Sequence, residues 1–170
     1  MTDEAQFSIG FVLTSPSVDD VKSGRPPSSG SVRLSTADGV EEYSLTLFTS
    51  SVRKALDAVK KLLRGDRGGV PTHDEAYLVF ELEDEQHGHV TLCYSRDAID
   101  DPKRRVVSRD QRSLDAILPL PVLVDEAVTA VADLLDRIAQ LNESVDEYGW
   151  FQNLNGELRS VRDVADGHLQ

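Results

Sequence analysis

Apolar and polar residues alternate in several short stretches of the chain, a period typical of half-buried β-strands. The first such stretch covers residues 7–13. Two more, at residues 32–34 and 43–47, lie on either side of Asp38-Gly39, a pair that favours a tight hairpin turn. These patterns predict one strand followed by a hairpin.

A second hairpin is predicted over residues 77–95, where two alternating runs are joined by an acidic turn close to Gly88. One face of this hairpin is predicted to pack on the core, and the other, which carries acids and a histidine, to face water. The core-facing residues of this prediction are Leu78, Phe80, Leu82, Val90, Leu92 and Tyr94.

Apolar residues spaced at i, i+3, i+4 and i+7 predict two amphipathic helices. The first covers residues 49–65, with Ser50 or Ser51 as its N-cap and Gly65 as its left-handed end. The second covers residues 121–144 and begins at a proline, whose missing N–H costs little in the first turn of a helix.

Three segments show neither the alternation of a strand nor the spacing of a helix. Residues 21–31 contain two prolines, two glycines and four serines and are predicted to form a flexible loop. Residues 148–161 are predicted to form a small hairpin that turns at Asn155-Gly156, and residues 163–170 a loose tail.

The order of these elements predicts the α+β class. We expect a single domain over residues 1–162, built on a mostly antiparallel β-sheet of about five to seven strands. The two amphipathic helices are expected to pack on one face of that sheet, because each has one apolar stripe to bury.

At 170 residues the chain is long enough for one domain with a hydrophobic core, and 39% hydrophobic with 28% charged residues is typical of a globular protein. No apolar run approaches the ~18 residues of a membrane span, and the acidic N-terminus argues against a secretory signal. A single cysteine excludes an internal disulfide and a multi-cysteine zinc site. We therefore expect a cytoplasmic protein with no membrane partner.

The formal net charge of −12 is distributed unevenly. Residues 1–68 are neutral overall, residues 69–95 carry six acids and no lysine or arginine, and residues 113–170 carry eleven acids against three arginines. Such a surface disfavours a nucleic-acid partner and favours a basic protein. Solubility, or a salt-loving host, would also explain the acidity, and the excess of arginine (13) over lysine (5) fits such a host.

His87 and His89 flank Gly88, and Cys93 lies four residues further on. Four residues of extended strand span about 13 Å, so His89 and Cys93 cannot share a zinc ion whose ligands lie about 2 Å from the metal. The sequence predicts no metal site, and both histidines are interpreted as surface residues of the turn. No base or helix N-terminus activates Cys93, and no phosphate loop or nucleophile elbow is present, so no catalytic residue and no cofactor are assigned.

The candidate binding residues are acidic and aromatic. The acids cluster at the turn of the second predicted hairpin, and the aromatic residues are of the kinds enriched in binding hot spots. An alternative role for the aromatics is to close the end of the core under the second helix. The predicted partner-binding residues are Glu81, Glu83, Asp84, Glu85, Tyr148 and Trp150.

In element order and acidity, residues 31–143 resemble the small acidic immunity proteins of bacterial toxin systems. The resemblance implies a compact α+β domain that neutralises a basic toxin through an acidic surface, and it rests on no motif that assigns single residues. We expect a non-catalytic module, immunity-like or inhibitor-like, that binds a basic protein partner. Two alternatives stay open: a small-molecule-binding domain or enzyme with a site assembled from distant residues, and a salt-adapted housekeeping protein of a halophile. The sequence leaves the oligomeric state open.

Overall fold

The computed structural model describes residues 7–37, 39–72, 76–93 and 112–169. In these ranges strands and helices alternate irregularly along the chain. In order they are β1 Ser8–Leu13, α1 Ser15–Lys22, β2 Ser29–Thr36, β3 Gly39–Thr46, α2 Phe48–Leu63, β4 Gly68–Pro71, β5 Tyr77–Leu82, β6 His87–Cys93, β7 Arg112–Pro119, α3 Leu120–Leu141, a 3-10 turn Val145–Glu147 and α4 Gly149–Leu169.

Seven strands of the described ranges form two antiparallel sheets, one in the order β1-β2-β3 and one in the order β4-β5-β6-β7. Both predicted hairpins are present: β2 pairs with β3 around the turn before Gly39, and β5 pairs with β6 around residues 83–86, the hairpin tip. The α+β class is confirmed. The prediction of one sheet is wrong, because alternation identifies a strand without saying which other strand it pairs with.

The helices α2 and α3 connect the two sheets. α2 packs on β4 and β5 and also on β2 and β3, whereas α3 packs on β1 and on β6 and β7. The apolar stripes of both helices are buried, and Phe48, Leu56, Phe80 and Leu123 are among the largest fully buried side chains. Both predicted helices are confirmed, and their stripes form the centre of the core.

The helix α4 occupies the residues predicted to form a small hairpin and a loose tail, and it continues to Leu169. Its buried residues recur at helical spacing. They are Phe151, Leu154, Leu158, Val161 and Ala165. Burial of this stripe outweighs the cost of about 1 kcal/mol for a glycine inside a helix, so the turn predicted at Asn155-Gly156 and the loose tail are both wrong. With α1, the described residues contain four helices where two were predicted.

The helix α1 shortens the predicted loop at residues 21–31. Thr14 caps this helix, because its side-chain oxygen accepts a hydrogen bond from the N–H of Ser17 at 3.3 Å. α1 ends at Lys22 and β2 begins at Ser29, so the segment between the elements is shorter at both ends than predicted.

The two ends of α2 differ in how well the sequence predicts them. The N-cap is Leu47, in the left-handed conformation (φ 54°) and without a side-chain hydrogen bond, so the prediction of Ser50 or Ser51 is wrong. At the other end Gly65 has φ 85°, which confirms the predicted left-handed stop. This turn directs the chain so that Asp66 lies beside the hairpin tip.

Candidate partner-binding surface at the hairpin tip

Hydrogen bonds within the hairpin tip, to β6 and from α3 hold the tip in place. The N–H of Glu83 donates to the carbonyl oxygen of His87 at 2.9 Å, and the N–H of Gln86 donates to Oδ1 of Asp84 at 2.7 Å. The N–H of Leu120 donates to the carbonyl oxygen of Gln86 at 2.8 Å, which ties the tip to the first residue of α3. The tip therefore presents its side chains from an ordered backbone.

A solvent-open pocket of about 320 Å³ lies between the hairpin tip and the turn that follows α2. All four acids that the sequence predicts as binding residues line this acidic pocket. Asp66 joins them from the α2–β4 turn, and the sequence analysis misses it because only the folded chain brings that turn to the hairpin. The residues that line the acidic pocket are Gly65, Asp66, Arg67, Glu81, Leu82, Glu83, Asp84 and Glu85.

Glu81 differs from the other acids because it takes part in an internal ion pair. Nε of Arg67 donates to Oε2 of Glu81 at 2.9 Å, and the two side chains are 7% and 18% exposed. Nδ1 of His89 lies 3.7 Å from Oε1 of Glu81 and 3.4 Å from Oε2 of Glu83. Glu83, Asp84 and Glu85 are exposed, so these three present their charge to solvent.

The outer face of the β5–β6 hairpin is more buried than the alternation predicts. The alternation predicts that Val79, His89 and Thr91 face water, yet each is at most 5% exposed. The prediction that His89 is a surface residue of the turn is therefore wrong, whereas His87, with a side chain 41% exposed, does lie at the surface. Alternation alone cannot tell a sheet covered on one face from one covered on both.

Tyr148 and Trp150 contact the segment between α1 and β2. Nε1 of Trp150 donates to the carbonyl oxygen of Gly24 at 3.1 Å, and the ring of Trp150 meets that of Phe151 edge-on with centroids 5.9 Å apart. The ring of Tyr148, which is 36% exposed, lies where a Cβ on Gly24 would stand. These contacts support the alternative role of the aromatics as the closure of one end of the fold.

The structure does not bring the two aromatics to the acids. The hairpin tip is bonded to Leu120 at the start of α3, whereas Asn142, at the end of α3, donates from Nδ2 to the carbonyl oxygen of Val21 near the aromatics. A helix of 22 residues is about 33 Å long at 1.5 Å per residue. The two parts of the predicted binding site therefore lie about 30 Å apart, at opposite ends of α3.

Within the ranges that the structure describes, no group of three or more histidine, cysteine, aspartate or glutamate residues is placed to hold a metal ion. Cys93 ends β6. Tyr94, which the sequence predicts to face the core, lies outside the described residues.

The chain matches no protein-family model, and neither the curated proteins nor the solved structures contain a significantly similar chain. Among the described helices, none has both the length and the apolar character that a membrane span requires.

The Asp84 carboxylate is expected to make the hairpin tip sensitive to acid. Hydrogen bonds from His87 Nδ1, 2.9 Å from Oδ1, and from the N–H of Gln86 hold the pKa of Asp84 below its usual range. A depressed pKa contributes stability that is present above the unfolded-state pKa, about 3.9, and is lost as the pH falls through the folded-state pKa. The carboxyl carbon of Asp84, followed by NMR from pH 6 to pH 2, should titrate below that value.

The protection of the Gln86 amide against exchange, relative to an unstructured amide at the same pH, should fall over the same pH window. The variant Asp84→Asn keeps an oxygen that can accept from Gln86 but has no carboxyl to titrate, so its Gln86 exchange should lack this step. A titration of Asp84 at or above the ordinary aspartate value would contradict the prediction.

Proposed function

We propose that this protein is a non-catalytic interaction module, immunity-like or inhibitor-like, that binds a basic protein partner through the acidic pocket. The observation that carries the proposal is the convergence of Asp66, Glu83, Asp84 and Glu85 around one pocket open to solvent. Asp66 is distant in sequence from the other three, so the pocket gathers more negative charge than the hairpin tip alone.

The residues that line the acidic pocket neutralise only part of its negative charge. Among the described residues that line it, Arg67 is the one cation, and its guanidinium is bonded to Glu81. The other four carboxylates have no ion pair with a lysine or an arginine in the described residues, although Asp84 and Glu83 each lie within 4 Å of a histidine. A carboxylate accepts two parallel hydrogen bonds from a guanidinium, which favours arginine or lysine side chains as the groups that enter the pocket.

The order of the hairpin tip supports a binding role. Asp84 is already oriented by Gln86 and His87, and the tip is bonded to α3. A surface that is ordered before binding loses less conformational entropy when the partner docks. The proposal therefore treats the tip as a preformed acceptor for basic side chains.

The charges around the acidic pocket disfavour the approach of a basic partner from the side of α2. The net charge of −12 attracts a basic protein over a long range. The end of α2 beside the pocket carries Lys60, Lys61 and Arg64, which repel a basic partner that approaches from that side. Once bound, the module would cover the cationic surface with which such a partner contacts nucleic acid or another polyanion.

A pocket for a small molecule in the core has less support. The apolar cavity between β1, β2, β4, β5, α2 and α3 measures about 10 Å³, which is at the lower limit of the space that holds one water molecule. Of these two, the acidic pocket is the better candidate site.

The proposal is tested by affinity capture from a lysate of the native host with three immobilised forms of the protein. The first is the wild type, and the second carries Glu83→Gln, Asp84→Asn and Glu85→Gln. The third neutralises three exposed acids on and just after α3 instead, by Asp133→Asn, Asp136→Asn and Glu143→Gln. The second and third forms have the same net charge, so they separate an effect of the pocket from an effect of total charge.

We expect one basic protein to bind the wild type and the α3 variant in near-stoichiometric amounts and to be released by salt. The tip variant should retain at least about tenfold less of it, since each lost carboxylate–cation contact is worth roughly 1 kcal/mol. Glu81 is left intact because its carboxylate forms an ion pair with the buried Arg67. No basic protein on the wild type, or equal retention by both variants, would refute the proposal. Circular dichroism of the three forms checks that each is folded.

A further inference from the structure

The strand β3 presents a long unprotected edge. In the described residues β3 pairs with β2 alone, over eight consecutive residue pairs without a bulge. Thr36 and Gly39 close the hairpin as a bonded pair, so the N–H groups of Val40, Glu42 and Ser44 point away from β2. A row of such groups is a template for another strand.

Two of the other sheet edges are covered or short, whereas the edge of β3 is neither. β1, at the opposite edge of the same sheet, packs against α3, and the Glu126 carboxylate accepts a hydrogen bond from the N–H of Ile9. β4, at an edge of the second sheet, has four residues and ends at Pro71. β3 has twice that length and contains neither a proline nor a lysine, the residues with which proteins commonly protect an edge.

The apolar residues at both ends of β3 are exposed. Val40 is 65% exposed and Leu47, directly after the strand, is 71% exposed, the two highest values among the large hydrophobic residues described. Leu47 is also the one non-glycine residue of the described chain with a positive φ, a conformation that asparagine or glycine adopts at less cost. A left-handed leucine whose apolar side chain is exposed points to a contact with another molecule.

The charges of β3 indicate which strand would pair there. Glu41 and Glu42 lie at its centre, so an antiparallel copy of β3 would bring like charges of two chains, each of net charge −12, side by side. Arg33 bonds Glu42 through Oε1 only, and Oε2 remains able to accept from a cation. A second copy is therefore disfavoured and a basic strand is favoured.

We propose that the free edge of β3 binds an extended segment of a partner protein that carries a lysine or arginine and an apolar residue two positions apart, on the same face of the segment. Backbone hydrogen bonds to Val40, Glu42 and Ser44 supply the pairing, a basic side chain lies opposite Glu42, and apolar side chains cover Val40 and Leu47. This binding mode uses a different sheet from the acidic pocket and does not depend on it.

The test uses the eight-residue peptide Thr-Lys-Thr-Val-Thr-Lys-Thr-Val, in which lysine and valine follow one another along one face of the extended chain, added to the ¹⁵N-labelled protein. The control peptide has the same sequence with its four central peptide groups N-methylated, which keeps the charges and removes the donors of both peptide edges. The first peptide should shift the amide signals of Val40, Glu42 and Ser44 and slow their exchange at least about tenfold, because the bound amides become hydrogen-bonded. The N-methylated peptide should bind at least about tenfold more weakly, since it cannot complete the pairing.

Two substitutions test the apolar contacts. Val40→Thr keeps the β-branched shape, and Leu47→Asn places a residue that tolerates the left-handed conformation. Each should weaken the binding of the first peptide about threefold or more. The midpoint of thermal unfolding of Leu47→Asn should stay equal to or above that of the wild type. The tip variant Glu83→Gln, Asp84→Asn, Glu85→Gln should bind the peptide like the wild type, which separates this proposal from the acidic pocket. Equal effects of the N-methylated peptide on these three amides, no shift at Val40, Glu42 and Ser44, or no binding at millimolar peptide would overturn it.

Discussion

Replacement of Gly68 by alanine is expected to destabilise the protein by about 2–3 kcal/mol. Gly68 begins β4, where the strand packs on α2 so closely that an added Cβ would stand 2.6 Å from the Cα of Ala58 and 2.8 Å from its Cβ. Both atoms belong to a rigid part of the helix, so the strand and α2 would have to move apart. Urea unfolding followed by circular dichroism measures the free energy of unfolding.

Two other glycines in strands serve as matched controls. Gly10→Ala in β1 places its Cβ in open space and should change the free energy of unfolding by no more than about 0.5 kcal/mol. Gly88→Ala in β6 places its Cβ 2.5 Å from Cδ2 of Leu123, the end of a flexible side chain, and should have an intermediate effect. If Gly68→Ala is as stable as Gly10→Ala, the described packing of β4 on α2 is wrong.

Replacement of Phe48 by alanine is expected to have the largest effect on stability, a loss of about 3–5 kcal/mol. Phe48 is fully buried at the first turn of α2, and its ring meets that of Phe11 edge-on with centroids 6.1 Å apart. The ring also fills the space above Gly30, where a Cβ would stand 2.5 Å from it. Removal of the ring would leave a cavity bounded by β1, β2 and α2.

The control is Phe48→Leu, which keeps most of the apolar volume and should cost about 1–1.5 kcal/mol. Both variants are measured by the same urea unfolding experiment as the glycine series. An alanine variant within about 1 kcal/mol of the wild type would show that Phe48 does not occupy the centre of the contact between the first sheet and α2.

The two proposed binding surfaces share one preference and differ in what they recognise. The acidic pocket would bind the side chains of a folded basic protein, whereas the edge of β3 would bind the backbone of an extended basic segment. They lie on different sheets, so one partner could engage both only if it presents a folded basic surface and a free strand. The tip variant and the N-methylated peptide separate the two contacts experimentally.

Local patterns predict the two hairpins and the helices α2 and α3 because each pattern requires only its own residues. Alternation of apolar and polar residues follows the pleat of a strand, and a spacing of three and four residues follows the turn of a helix. The helical spacing of α4 is equally visible, from Phe151 to Ala165. The pair Asn155-Gly156 is also a turn signal, and only burial of the stripe against the core decides between the two patterns in favour of the helix.

The residues of the candidate site also fall into two groups: those that the local sequence predicts and those that only the folded chain brings together. By itself the sequence determined that Glu83, Asp84 and Glu85 lie together at a hairpin tip, because they are consecutive in a turn. Only the tertiary structure shows that Asp66 joins the acidic pocket, that His89 is buried and that Glu81 forms an ion pair with Arg67. It also placed Trp150 about 30 Å from the tip, by the length of α3, and left the edge of β3 exposed. Each of these features depends on which distant segments meet in the folded chain, and local periodicity carries no information about such contacts.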